Sequence, residues 1–185
     1  MSSSIFNLTN PEIYVLTAAH EGQVSGQVAT WVTLAALVPE HLRVVTILSS
    51  RNFTFGLIQE SKRFVLHLLA EGQQDWLPLF GLYSMREVDK FAGITIKRTA
   101  EGIPILPDTC GWAECQIVQE VDLGDRTIVI ADVVNHRVYP ERKTLCLIEA
   151  IAGLPPEVVQ ELAAKRLEDI ECDQALMESH RSQSS

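Results

Sequence analysis

A mainly β fold, an antiparallel barrel or sandwich, is the class this sequence predicts. Three observations carry the prediction. Short runs rich in Val, Ile and Thr recur along the chain, Gly, Pro and Asp punctuate them, and few long helical stretches alternate with them. Strands are expected at residues 14–18, 23–34, 42–48, 64–69, 94–97, 113–121 and 127–134. The last two read as a hairpin, because Asp122, Gly124 and Asp125 interrupt β-forming runs with residues that tolerate turn geometry.

Short helices interrupt the pattern. Thr54 is placed to cap one over 55–60, its hydroxyl accepting from a free backbone N–H of the first turn. Asp75 is placed to cap another reaching Phe80, where Pro78 is tolerable as a first-turn residue. After Gly153 the texture changes. Pro155, Pro156 and Glu157 suit a helix start, and Val159, Leu162, Ala163, Leu167 and Ile170 recur at helical spacing. The expected organisation is a barrel domain over residues 1–153 and a C-terminal helix with a polar tail over 154–185.

The 185 residues suit one domain, with 46% hydrophobic and 21% charged residues. The net charge of −9 argues against nucleic acid, since the dense basic spots, such as Lys97-Arg98, Arg142-Lys143 and Lys165-Arg166, are isolated doublets. Seven acidic and three basic residues between Leu154 and Ser185 put −4 on the expected extension and leave −5 for the rest. The longest uncharged run, between Glu21 and Glu40, contains Gln23, Ser25, Gln27 and Pro39, so no membrane span is expected. Four cysteines without a pairing pattern do not suggest a disulfide scaffold. With no basic, then apolar, N-terminal segment, the cytoplasm is the expected compartment. Ser-rich segments occupy both ends.

Familiar catalytic signatures are absent. His20, His41, His67, His136 and His180 are scattered and read as solvated or core histidines rather than metal ligands, and there is no HExxH, GxSxG, GxGxxG or GxxxxGK[ST]. Cys115 reads as a small core residue. Two segments stand out instead. Ser25-Gly26-Gln27-Val28-Ala29-Thr30-Trp31 puts glycine inside a strand, which often marks the close approach of a ligand or another backbone. Ser49-Ser50-Arg51-Asn52-Phe53-Thr54 puts hydroxyls, an amide and a guanidinium before a helix N-terminus, a setting that suits a phosphate or is simply a capped turn.

Together with Phe80-Gly81, Glu87 to Gly93, Trp112 to Cys115 and Gly124-Asp125, these segments resemble the flavin reductase-like, FMN-binding split β-barrel family, nearest in motif to flavoredoxins and the flavin domain of high-molecular-weight rubredoxins. The resemblance implies a Greek-key split barrel, a homodimer, and FMN near the subunit interface. It implies contacts to the flavin ring from Gln27, Val28, Ala29, Thr30 and Trp31, and to the phosphate from Ser49, Ser50, Arg51, Asn52 and Thr54, with Lys90 and Trp112 at the rim. The implied activity is an oxidoreductase of flavin reductase type, taking hydride from NADH or NADPH and passing electrons to free flavin or another acceptor. No side chain is assigned as catalytic, because the cofactor carries the chemistry. Two positions depart from many members, which have histidine where Phe55 and Arg126 stand. Arg126 can pair with a cofactor phosphate or lie solvated in a turn, and Trp31 can stack on the ring or fill the acceptor site. The departures leave open a flavin-binding electron-transfer partner of a redox protein that uses nicotinamide poorly.

Overall fold

Alternation along the strands decides the layering. In β1 (Tyr14–His20), Leu16 and Ala18 face one cluster of buried residues and Val15 faces another, so this strand is covered on both sides. A computed structural model describes residues 4–183 of the chain; the outermost residues of the Ser-rich ends, 1–3 and 184–185, lie outside the described residues. The remaining strands are β2 (Gln23–Ala29), β3 (Val32–Leu34), β4 (Arg43–Ser49), β5 (Arg63–Leu68), the short β6 (Lys97–Arg98) and β7 (Pro104–Ile105), and the long pair β8 (Gly111–Asp122) and β9 (Arg126–Val138).

Seven of them form one antiparallel sheet in the order β2-β1-β5-β8-β9-β4-β3. Only Thr30 and Trp31 separate β2 from β3, yet these strands sit at opposite ends of that order. The three steps from Ala29 to Val32 reach only about 10 Å. The sheet must therefore curl until its ends nearly meet; on the far side of the link the Ile47 N–H donates to the Trp31 carbonyl at 3.2 Å, extending the β3–β4 ladder by one rung. The result is a split barrel, mainly β, as expected. Inside it lie Leu16, Leu48, Phe55, Ile58, Phe64, Leu66, Cys115 and Val129, with the Cys115 thiol pushed up to about 12 by burial. Outside, Ile13, Leu69, Phe80, Phe91, Leu106 and Leu145 form the second cluster, under α2 (Trp76–Gly81).

The β8–β9 hairpin matches expectation. Gly124 takes φ of 94°, a left-handed conformation that glycine adopts without strain, and its N–H donates to Asp122 Oδ1 at 2.8 Å. Other expectations need correction. The run 23–34 is two strands, because the chain changes sheet edge at Thr30 and Trp31. Of residues 94–97 only Lys97 is in a strand, paired through β6 with β7. Thr54 caps nothing. It lies within α1 (Phe53–Ser61), whose N-cap is Asn52, and its hydroxyl shares a 2.8 Å hydrogen bond with that of Ser25. Asp75 is the N-cap of α2 but makes no side-chain bond to it.

A short α3 (Leu147–Ala152) was not expected. The C-terminal helix α4 (Pro156–Gln183) starts at the expected prolines and runs 28 residues. Val158, Val159 and Leu162 pack it against the outer cluster, beside α2. No helix among the described residues is long and apolar enough to cross a membrane.

Candidate functional site

The gap in the sheet leaves a cavity of about 520 Å³, within the range of small-molecule sites. Its first wall is the end of β2 and the link that follows, Gln27 to Trp31; its second is the end of β4, with Ile47, Leu48, Ser49 and Asn52. Asp125 and Arg126 of the β8–β9 turn close one side, and Gly81 of α2 another. The last wall is unexpected. Helix α4 lies across the opening and contributes Leu162, Lys165, Arg166, Asp169, Ile170, Asp173, Gln174 and Met177.

Two buried polar atoms on these walls have no partner within the protein: Gln27 Oε1 and Ser49 Oγ. Burying a polar group unpaired is costly, so each is a natural contact for a bound molecule. The α1 start beside Ser49 has no side-chain cap, which leaves first-turn N–H groups for an anion. Charge is concentrated at this end. Arg51 Nη2 donates to Asp169 Oδ1 at 3.1 Å and Asp173 Oδ1 at 3.0 Å, Arg126 pairs with the other oxygen of Asp173, and Lys165 meets Asp169 at 2.7 Å. Burial opposes the Arg51 charge, but hydrogen bonds to Asp173 and Asp169 outweigh it and hold the guanidinium above its ordinary pKa. The Arg126 guanidinium also lies 5.2 Å from the Trp31 ring centroid, so Arg126 is not a freely solvated turn residue.

Of the residues the sequence singles out, Gln27, Val28, Ala29, Thr30, Trp31, Ser49 and Asn52 share this cavity. Arg51 reaches its edge through Asp169 and Asp173. Ser50 is an exposed turn residue. Thr54 is buried and engaged with Ser25, and Trp112 lines a separate apolar groove with Tyr14, Leu34 and Val138. Lys90 lies behind β2, where its ammonium donates to the carbonyls of Gly26 at 2.9 Å and Phe80 at 3.3 Å; burial pulls it down to about 8. The close approach at Gly26 is also explained from behind. A Cβ there would meet the Phe80 ring at 2.8 Å, so the glycine admits a core aromatic rather than a ligand.

His67 is a core residue, its Nδ1 2.9 Å from the Val15 carbonyl. Among the described residues no group of three or more His, Cys, Asp or Glu is arranged to hold a metal.

Sequence reasoning missed the α4 contribution. Leu162, Arg166, Asp169, Asp173 and Met177 recur at intervals of three or four, one helix face, but the face mixes charged and apolar residues. A search for an apolar stripe passes over it.

Residues 7–150 match the flavin reductase like domain family. A high molecular weight rubredoxin of Moorella thermoacetica is 34% identical over 125 residues, 66% of this chain and 54% of that protein. The chain thus spans about half the length of that relative. A ferric-chelate reductase (NAD(P)H) of Archaeoglobus fulgidus is 25% identical over 135 residues, 72% of this chain and 79% of that protein. Among solved structures, nitrilotriacetate monooxygenase component B from Mycobacterium thermoresistibile superposes with a TM-score of 0.67 at 28% identity, covering 75% of each chain.

Proposed function

This chain belongs to the flavin reductase like domain family, and on that premise we propose that its cavity binds FMN and that it acts as an NAD(P)H-dependent flavin oxidoreductase. The observation that carries the reading is one cavity lined by both Gln27 and Ser49, whose buried Oε1 and Oγ lack a partner within the protein, with Arg126, Lys165 and Arg166 on the same walls. A flavin fits this donor set. Main-chain and side-chain groups of Gln27 to Thr30 suit the polar edge of the ring, Trp31 and Met177 its apolar face, and Ser49, Asn52 and the α1 N-terminus its phosphate. When bound, the flavin supplies the group that accepts hydride from a reduced nicotinamide. The chain's own residues bind, orient and screen it. The homodimer implied by the family resemblance, and the acceptor of the electrons, belong to the same proposal.

The ferric-chelate reductase (NAD(P)H) relative supports nicotinamide as donor. A second reading, a flavin-binding electron-transfer partner of a redox protein, is favoured by Arg126, which is already committed to Asp173 and Trp31. Anaerobic mixing of the flavin-loaded protein with excess NADH or NADPH separates the two. Rapid bleaching of the flavin absorption is the result expected of a reductase; no bleaching with either donor leaves the electron-transfer reading.

The phosphate end has its own test. Arg51→Ala is expected to weaken FMN by roughly 1.5–3 kcal/mol, the range for a charge-assisted hydrogen bond, with little effect on riboflavin, which carries no anion. Equal weakening of both in a fluorescence titration moves the phosphate away from Arg51.

A further inference from the structure

Arg51 and Arg126, beside the cavity, are already paired with acids of the chain itself. Asp173 is 8% exposed and presents one carboxylate oxygen to Arg51 and the other to Arg126, the two-pronged arrangement in which guanidinium groups also hold a phosphate. Asp169 takes a second bond from Arg51, with Lys165 beside it. These acids sit one helical turn apart on α4, a segment outside the 7–150 stretch that matches the family. The helix has its own anchor elsewhere, since Val158, Val159 and Leu162 pack on the outer cluster.

We propose that Asp173, assisted by Asp169, is an internal anion that competes with the phosphate of the bound flavin for Arg51 and Arg126. The inference rests on the FMN reading of the cavity and deepens it. In the unliganded chain the acids neutralise the arginines and draw α4 over the opening. A phosphate entering at Ser49 takes over the guanidinium groups, and the middle of α4 loses its ion pairs while the apolar anchor near Leu162 stays in place. The helix is thus a ligand-sensitive cover, and Asp173 sets the preference between flavins with and without a phosphate.

The test uses the full chain and two probes, FMN and riboflavin, each titrated by quenching of flavin fluorescence. Asp173→Asn removes the charge and keeps the shape. It is expected to tighten FMN by about tenfold or more, the equivalent of one charge-assisted contact no longer contested, and to change riboflavin by less than about twofold. Asp173→Glu, which keeps the anion, is expected to stay near the parent value. Hydrogen exchange on the unaltered protein gives an independent readout: amides of residues 165–177 exchange faster with saturating FMN than with saturating riboflavin. FMN affinity unchanged or reduced in Asp173→Asn, or equal exchange with both ligands, overturns the competition. Loss of both flavins from the parent protein overturns the cavity reading on which it rests, so the two failures are distinguishable.

Discussion

Phe80→Ala is expected to destabilise the protein by about 3–5 kcal/mol, the range for truncating a fully buried aromatic, and to weaken flavin binding along with it. The ring is 2% exposed, with the Trp76 ring 6.0 Å away at 61°, the Phe91 ring 5.8 Å away at 60°, and the Lys90 ammonium 5.9 Å from its centroid. It also fills the space left by Gly26 on β2. Removing it opens a cavity directly behind the strand whose end forms the first wall of the site. Urea denaturation measures the loss. A double-mutant cycle tests the mechanism. Gly26→Ala in the parent forces a Cβ against the ring and is expected to cost about 1–3 kcal/mol, whereas in Phe80→Ala the same change costs much less. Additive effects would mean that Gly26 and Phe80 are not in contact.

Acid weakens the fold through His67. Burial lowers its pKa to about 4, against the help of the Val15 carbonyl, and its Nε2 accepts from the Leu106 N–H at 3.1 Å. The ring is therefore held neutral, donating at one nitrogen and accepting at the other. In the unfolded chain the same group titrates near its ordinary value of about 6.5, so between those values the unfolded state binds more protons than the folded one. Stability is full above about pH 6.5 and falls as the pH drops toward 4, by up to about 3 kcal/mol for this group. Carboxylates that are lowered in the folded state, such as Asp132 beside Arg43 and Glu149 beside Asn10, add to the fall at the acid end. Comparison with His67→Gln isolates the histidine. The parent is expected to lose more stability than the variant between pH 6.5 and 4, and parallel curves would contradict the assignment.

The barrel strands were legible because their alternation and turn residues act locally: Gly124 and its flanking aspartates announce the β8–β9 hairpin within a few positions. The break between β2 and β3 was not, since nothing in Thr30 and Trp31 says that the chain leaves one sheet edge for the other; closure of the whole sheet decides it. The same holds for the site. Gln27, Ser49 and Asn52 stand out by position and line the cavity, but Thr54 does not cap the helix, because its partner, Ser25, is 29 residues away in sequence. Trp112 and Lys90 lie on other faces of the sheet for the same reason. The pairing of Asp173 with Arg51 and Arg126 is not legible in the sequence. On a helix whose cavity face mixes charged and apolar residues, an acid facing solvent and an acid facing two arginines look alike.

The central claim, that the cavity between β2, β4 and α4 holds a flavin, is tested most directly by titrating the full chain with FMN and following the visible flavin spectrum. Saturable binding of one FMN per chain is expected, with a shifted spectrum, weakened in Arg51→Ala. A spectrum that stays that of free FMN at all protein concentrations, with riboflavin equally unaffected, would contradict it.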